Sequence, residues 1–245
     1  MAPHLSVNLN AIALLRNRRD LPWPSVTGIG ALALDAGAHG LTVHPRPDER
    51  HIRRQDVYNI RDMIAEKYPN KEFNIEGFPD DRLMALVLDI CPDQVTFVPD
   101  DPAQNTSDHG WDIEANQDHL KRVISIAHDA GCRVSLFVDT DPEAATQAAS
   151  VGADRVEIYT GPYGSLVKEA HITKELDRIE ATYKAAKEAG LEVNAGHDLT
   201  LHNIPALVER VPGIAETSIG HCFTADCLIF GVKETVKQYL QHLGH

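Results

Sequence analysis

Several side chains able to move protons or grip anions stand directly after short apolar runs. In Gly40-Leu-Thr-Val-His-Pro-Arg-Pro-Asp-Glu-Arg-His51, β-branched Thr42 and Val43 read as a buried strand that Pro45 and Pro47 terminate. His44, Arg46 and His51 then sit at or just past its carboxyl end, where α/β folds bind their ligands. An imidazole titrates near neutral pH, and a guanidinium forks onto phosphate or carboxylate. Glu76 in Phe73-Asn-Ile-Glu76 and Glu157 in Val156-Glu-Ile-Tyr159 lie in otherwise apolar strands. An unpaired buried charge there costs several kcal/mol, so each is either paired or functional. His197 and His221 follow strands seven and eight directly, as part of Gly196-His197-Asp198 and Gly220-His221. Asn8 and Asn10 stand at the end of the first strand.

Cations and backbone donors suited to phosphate share these positions. Arg16, Arg18 and Arg19 follow the first strand, and Arg46, Arg50, Arg53 and Arg54 follow the second, some of them as solvated surface charge. Gly196 and Gly220 fall where barrels often bind phosphate on N–H groups. None of the nine lysines ends a strand, which disfavours a lysine Schiff-base aldolase or a pyridoxal enzyme. No Ser or Cys occupies a nucleophile elbow. Acid–base chemistry by Glu and His remains.

The elements that must position these groups are eight. Strands are expected to begin near Ser6, Gly40, Glu72, Gln94, Arg133, Arg155, Glu192 and Glu216, spaced 22 to 39 residues apart. That is the length of a βα unit. Helices are expected over 25–36, 56–68, 80–90, 117–130, 142–149, 173–189, 203–210 and 224–243. Ala36-Gly37, Ala130-Gly131 and Ala189-Gly190 read as repeated helix stops before a strand. The first strand leads into Asn8-Leu-Asn-Ala-Ile-Ala-Leu-Leu-Arg16, which lacks the glycine-rich turn of a doubly wound nucleotide fold. Strict alternation without a linker predicts one domain over 1–245, a closed (β/α)8 TIM barrel.

Composition agrees. The chain is 43% hydrophobic and carries a net charge of −13, which argues against nucleic acid or anionic membrane as partner. Cys91, Cys132, Cys222 and Cys227 fit neither a zinc site nor a disulfide framework. No signal peptide or bilayer-length apolar run is visible, so the cytoplasm is the expected compartment and the Asn105-Thr106-Ser107 sequon a chance match.

Taken together, Val7-Asn-Leu-Asn10, Leu15-Arg-Asn-Arg-Arg19, Gly40 to Ile52, Phe73-Asn-Ile-Glu76, Phe97-Val-Pro99, Val134-Ser-Leu-Phe-Val-Asp139, Val156-Glu-Ile-Tyr-Thr-Gly161, Val193-Asn-Ala-Gly-His197 and Ile219-Gly-His221 make the chain resemble the pyridoxine 5′-phosphate synthases. The resemblance spans nearly the whole length. It implies a (β/α)8 barrel assembled as a homo-octamer that joins 3-amino-2-oxopropyl phosphate to 1-deoxy-D-xylulose 5-phosphate. The products are pyridoxine 5′-phosphate, inorganic phosphate and water. It implies no cofactor and no metal, because the substrate amine forms a Schiff base with the partner ketone. By resemblance, His44 and Glu76 accept protons, His197 donates one, and Glu157 stabilises a transition state. Asn8, Arg19, Gly220 and His221 hold the aminoketone phosphate, with Arg46, His51 and Thr106 on the sugar phosphate. The chain departs from the pattern at Asn10-Ala11, where Asp-His is frequent, and at Asp198, where glycine is common and only the backbone N–H could meet phosphate.

Two other readings compete. A metal-dependent sugar isomerase would use His44, Glu76, Glu157 and His197 as ligands. A non-catalytic sugar-phosphate binder would keep full affinity without turnover.

Overall fold

A computed structural model describes residues 2–100, 104 and 106–245; Asn105 of the sequon lies outside them. Eight parallel strands close in sequence order, β1 pairing with both β2 and β8. The strands are β1 His4–Asn8, β2 Gly40–Val43, β3 Glu72–Gly77, β4 Gln94–Phe97, β5 Arg133–Val138, β6 Arg155–Tyr159, β7 Glu192–Gly196 and β8 Glu216–Ile219. Around them run α1 Asn10–Arg16, α2 Val26–Asp35, α3 Arg54–Lys67, α4 Asp81–Ile90, α5 Gln117–Asp129 and α6 Pro142–Ser150. The ring is completed by α7 Gly161–Gly164, α8 Glu169–Glu188, α9 Ile204–Arg210, α10 His221–Phe230 and α11 Val232–Leu243. The expected single-domain TIM barrel is therefore the observed architecture.

Alternation along each strand sorts the residues sharply. Leu5, Val7, Leu41, Val43, Ile75, Val95, Leu136, Val156, Ile158 and Val193 face the helices and are fully buried or nearly so. The lumen is polar instead of filled with the bulky branched side chains usual in this fold. Ser6 Oγ lies 2.7 Å from Thr42 Oγ1, Asn74 Nδ2 donates to Thr42 Oγ1 at 3.3 Å, and Thr96 Oγ1 donates to Asn74 Oδ1 at 3.1 Å. At its amino-terminal end, Gln94 Oε1 accepts from Arg133 Nε and Arg155 Nη1 at 2.9 and 3.1 Å, and Gln94 Nε2 donates to Glu216 at 3.3 Å. Glu72 and Glu192 pair with Arg133 and Arg155, each at 2.6 Å. With its buried donors and acceptors largely paired, this plug costs little to bury.

The Ala-Gly phrases do end helices, Gly37, Gly131 and Gly190 each taking the positive φ that a left-handed stop requires. Three expectations need correction. β1 starts two residues earlier than read, at His4, because its backbone continues the ladder to β8. The glycine-free stretch after β1 is the helix α1, which no side chain caps. The expected helix over 224–243 is two, broken where Gly231 adopts φ +78°. No helix among the described residues is long and apolar enough to cross a membrane.

Candidate active site

The carboxyl ends of the strands surround a cavity of about 190 Å³. His44, Glu76, His197, Asn8, Asn10, Arg46, His51, Thr106, Asp198, Gly220 and His221 all line it. Their convergence follows from the barrel: each stands at a strand end or in the turn that follows.

A chain of hydrogen bonds ties three strands together. Asn8 Nδ2 donates to Glu76 Oε2 at 3.1 Å, Asn8 Oδ1 accepts from the Asn10 N–H at 3.0 Å, and Asn10 Oδ1 accepts from the His44 N–H at 2.9 Å. Asn10 thus supplies a side-chain acceptor to the His44 backbone. Glu76 also faces Ser218 Oγ at 3.5 Å, and among the described residues no cation pairs with it. Burial, then the fields of Asp100 and Glu216, push its carboxyl up to about 8. Burial, with Glu76 and Glu216 nearby, pushes Glu157 well above the usual carboxylate range. Burial and Glu72 likewise raise Glu216 to about 7.

The imidazoles move the other way. Burial, with Arg46 next in weight, holds His44 well below its ordinary value and His51 at about 4. His51 Nδ1 accepts the Ile52 N–H at 2.9 Å, which leaves its proton on Nε2. His197 is also lowered to about 4 by burial, its ring packed 5.0 Å from Phe137 and 5.4 Å from Tyr159. Burial thus favours the protonated form of Glu76 and Glu157 and the neutral form of His44, His51 and His197. Arg46 is buried against Asp100, and its Nη1 donates to the Gln104 carbonyl at 3.2 Å.

Two candidates stand apart. Glu157 is 1% exposed and lies beneath the cavity floor, paired in register with Phe137 and Asn194. A methyl group on Gly196 would overlap Glu157 Oε1, so only glycine there lets the carboxyl lie under the floor. Gly196→Ala is expected to destabilise the barrel by about 1–3 kcal/mol, read by urea unfolding, and to lower activity with it. Arg19 lines a different cleft, with Ser25 and Arg53, because α1 carries the chain away from the rim before Arg19 is reached. Arg16, one of the possible phosphate cations, forks onto buried Asp56 at 2.5 and 2.9 Å and also holds the His51 carbonyl at 3.2 Å. It braces the loop that carries His51.

Sequence reasoning passed over Asp100, Ser107, Ser218 and Glu216. Asp100 and Glu216 carried the same signal as Glu76, a carboxylate at or beside an apolar strand. Ser107 Oγ donates to Asp100 Oδ2 at 2.9 Å and shares Asp100 with Arg46. No three of His, Cys, Asp or Glu among the described residues form a group that could hold a metal.

Fold and site together define a (β/α)8-barrel enzyme whose rim carries acid–base and anion-binding groups. The family model for "Pyridoxal phosphate biosynthesis protein PdxJ" matches residues 5–245. A pyridoxine 5′-phosphate synthase of Mesorhizobium japonicum is 58% identical over 245 residues, covering all of both chains. One of Brucella anthropi is 56% identical over the same full lengths. The chain belongs to the PdxJ family and is an enzyme of vitamin B6 biosynthesis. Among solved structures, the tryptophan synthase α-subunit of Pyrococcus furiosus superimposes with a TM-score of 0.65, covering 100% and 98% of the two chains. At 10% identity that likeness concerns the fold alone.

Proposed function

We propose that the chain condenses 3-amino-2-oxopropyl phosphate with 1-deoxy-D-xylulose 5-phosphate, closing the pyridine ring of pyridoxine 5′-phosphate with loss of inorganic phosphate and water. The observation that carries this reading is the single cavity in which Glu76, His44 and His197 lie between two anion-receptive sides. On one side, Gly220 and His221 open α10, whose first N–H groups and dipole favour phosphate, and Asn8 lies against Gly220. On the other, Arg46, His51 and Thr106 offer a guanidinium, an Nε2–H and a hydroxyl.

No lysine lines the cavity among the described residues, and none is needed, because the amine of one substrate attacks the ketone of the other. The resulting imine draws electrons from the adjacent carbons. Glu76 and His44 take protons from that skeleton, and His197 protonates the departing hydroxyl. Charge supplied by the substrates sets the protonation states. A cationic ammonium or iminium favours ionised Glu76, while anionic phosphates favour protonated His197. Glu157, once ionised by positive charge that develops above it, stabilises that charge.

The test is incubation of the purified chain with both phosphates, following free phosphate and pyridinol absorbance together. Both signals should rise in step, only with both substrates, and equally in EDTA. Phosphate release without the chromophore, or loss of turnover in EDTA, would overturn the reading. Arg46→Ala should raise KM for deoxyxylulose phosphate about 10- to 100-fold, since a buried charge-assisted contact is lost, and leave KM for the aminoketone phosphate within about threefold.

The reading includes a homo-oligomer, an octamer by family likeness. Leu14 and Leu15 on α1 and Leu228, Ile229 and Phe230 on the adjoining α10 are exposed, the last three at 79%, 73% and 45%. Apolar patches of that kind mark protein contacts, and light scattering after gel filtration reads the assembly directly.

A further inference from the structure

His197 and Asp198 carry φ of +78° and +55°, two consecutive non-glycine residues in the left-handed region. Such backbone costs about 1–2 kcal/mol per residue and persists only where the surroundings hold it. The holding groups are visible. Thr160 is fully buried, and its N–H donates to the Gly196 carbonyl at 2.8 Å, extending the β6–β7 ladder by one rung. Its Oγ1 lies 2.5 Å from the same carbonyl oxygen and 2.6 Å from that of His197, so one hydroxyl proton is shared between them. The next carbonyl, of Asp198, accepts from Asn203 Nδ2 at 3.1 Å. Asn203 is itself held by Tyr163 Oη, which donates to its carbonyl at 2.7 Å. Three successive carbonyls of the strained turn are thus each taken by a side chain. Above that turn no hydrogen bond among those described fixes the His197 ring, which is set only by Phe137 and Tyr159 and by its own backbone.

We propose that Thr160 is a positioning residue for the reaction: its hydroxyl, by gathering the Gly196 and His197 carbonyls, aims the His197 imidazole at the reacting carbon skeleton, with Asn203 as the second clamp. This rests on His197 serving as the proton donor. Thr160 does not line the cavity. It acts through the ring it orients, and a misplacement of about 1 Å can cost about a hundredfold in rate.

Thr160→Val keeps the shape and removes the donor. The expected result is a kcat lower by about 10- to 100-fold, with both KM values within about threefold, and recovery to within about threefold in Thr160→Ser. Asn203→Ala, at a partly exposed site, should give a smaller loss of the same kind; it keeps the test available where Thr160→Val folds poorly. The deciding measurement places each change in the His197→Asn background. If the clamps act through the imidazole, Thr160→Val and Asn203→Ala should add no more than about twofold there. A full additional loss in that background, or failure of serine to rescue, overturns the assignment of Thr160. His197→Asn with unchanged turnover overturns the donor reading instead, so the two failures are distinguishable.

Discussion

Glu76→Gln is expected to lower kcat by about a thousandfold while both substrates bind within about threefold of their normal affinity. The substitution preserves size, and the amide oxygen can still accept from Asn8 Nδ2, so the Asn8–Asn10–His44 chain survives. Only the capacity to take a proton is removed. In the wild type, Glu76 must ionise to act as base, and its carboxyl is raised to about 8 by burial. The free enzyme carries the pair's working proton on Glu76 and not on His197, so kcat/KM should be level between about 4 and 8 and fall as pH rises through about 8, and the variant should lack that limb. Stability supplies the control. A carboxyl whose folded value lies above its unfolded value contributes stability that is full below about 4.5 and lost as pH rises through about 8. Glutamine cannot ionise, so the variant should melt above the wild type near pH 8 and match it more closely near pH 5. A variant with normal turnover would remove Glu76 from the mechanism, whatever its melting temperature.

His197→Asn should cost about a hundred- to a thousandfold in kcat, again with little change in KM. Asparagine is the informative choice because it tolerates positive φ better than other side chains, so the turn at +78° should survive the change. The free imidazole is held at about 4 by burial, hence neutral at pH 7, and it must gain its proton after anionic substrate enters. Accordingly kcat, which reports the loaded enzyme, should fall on the alkaline side as His197 loses its proton, and the variant should lack that descending limb. A descending limb retained in the variant would mean that another group supplies the proton, and unchanged kcat would exclude His197 as donor.

How much of this was legible before coordinates depends on the kind of signal. Strands β2 to β8 begin where composition placed them, because β-branched runs bounded by Gly and Pro are a local signal. Helix α1 escaped because Leu9, at its amino end, offers no capping side chain. The break at Gly231 escaped because a single glycine inside a helical run does not by itself end a helix. In the site, residues at strand ends were found because the barrel guarantees their convergence. Arg16 misled because its partner Asp56 lies 40 positions away, a pairing that no spacing rule reveals. Glu216 was passed over as the first residue of a strand, where a carboxylate ordinarily meets water, although it is 2% exposed.

The polar lumen bears on how the chain avoids misfolding. Parallel strands buried on both faces are usually apolar on both, so a strand displaced by one position still buries grease. Here the same slip would turn Leu41 and Val43 into a hydrogen-bonded interior and press Thr42 against the helices. Both faces would be wrong at once, and each β-segment therefore has essentially one tolerable alignment with its neighbours.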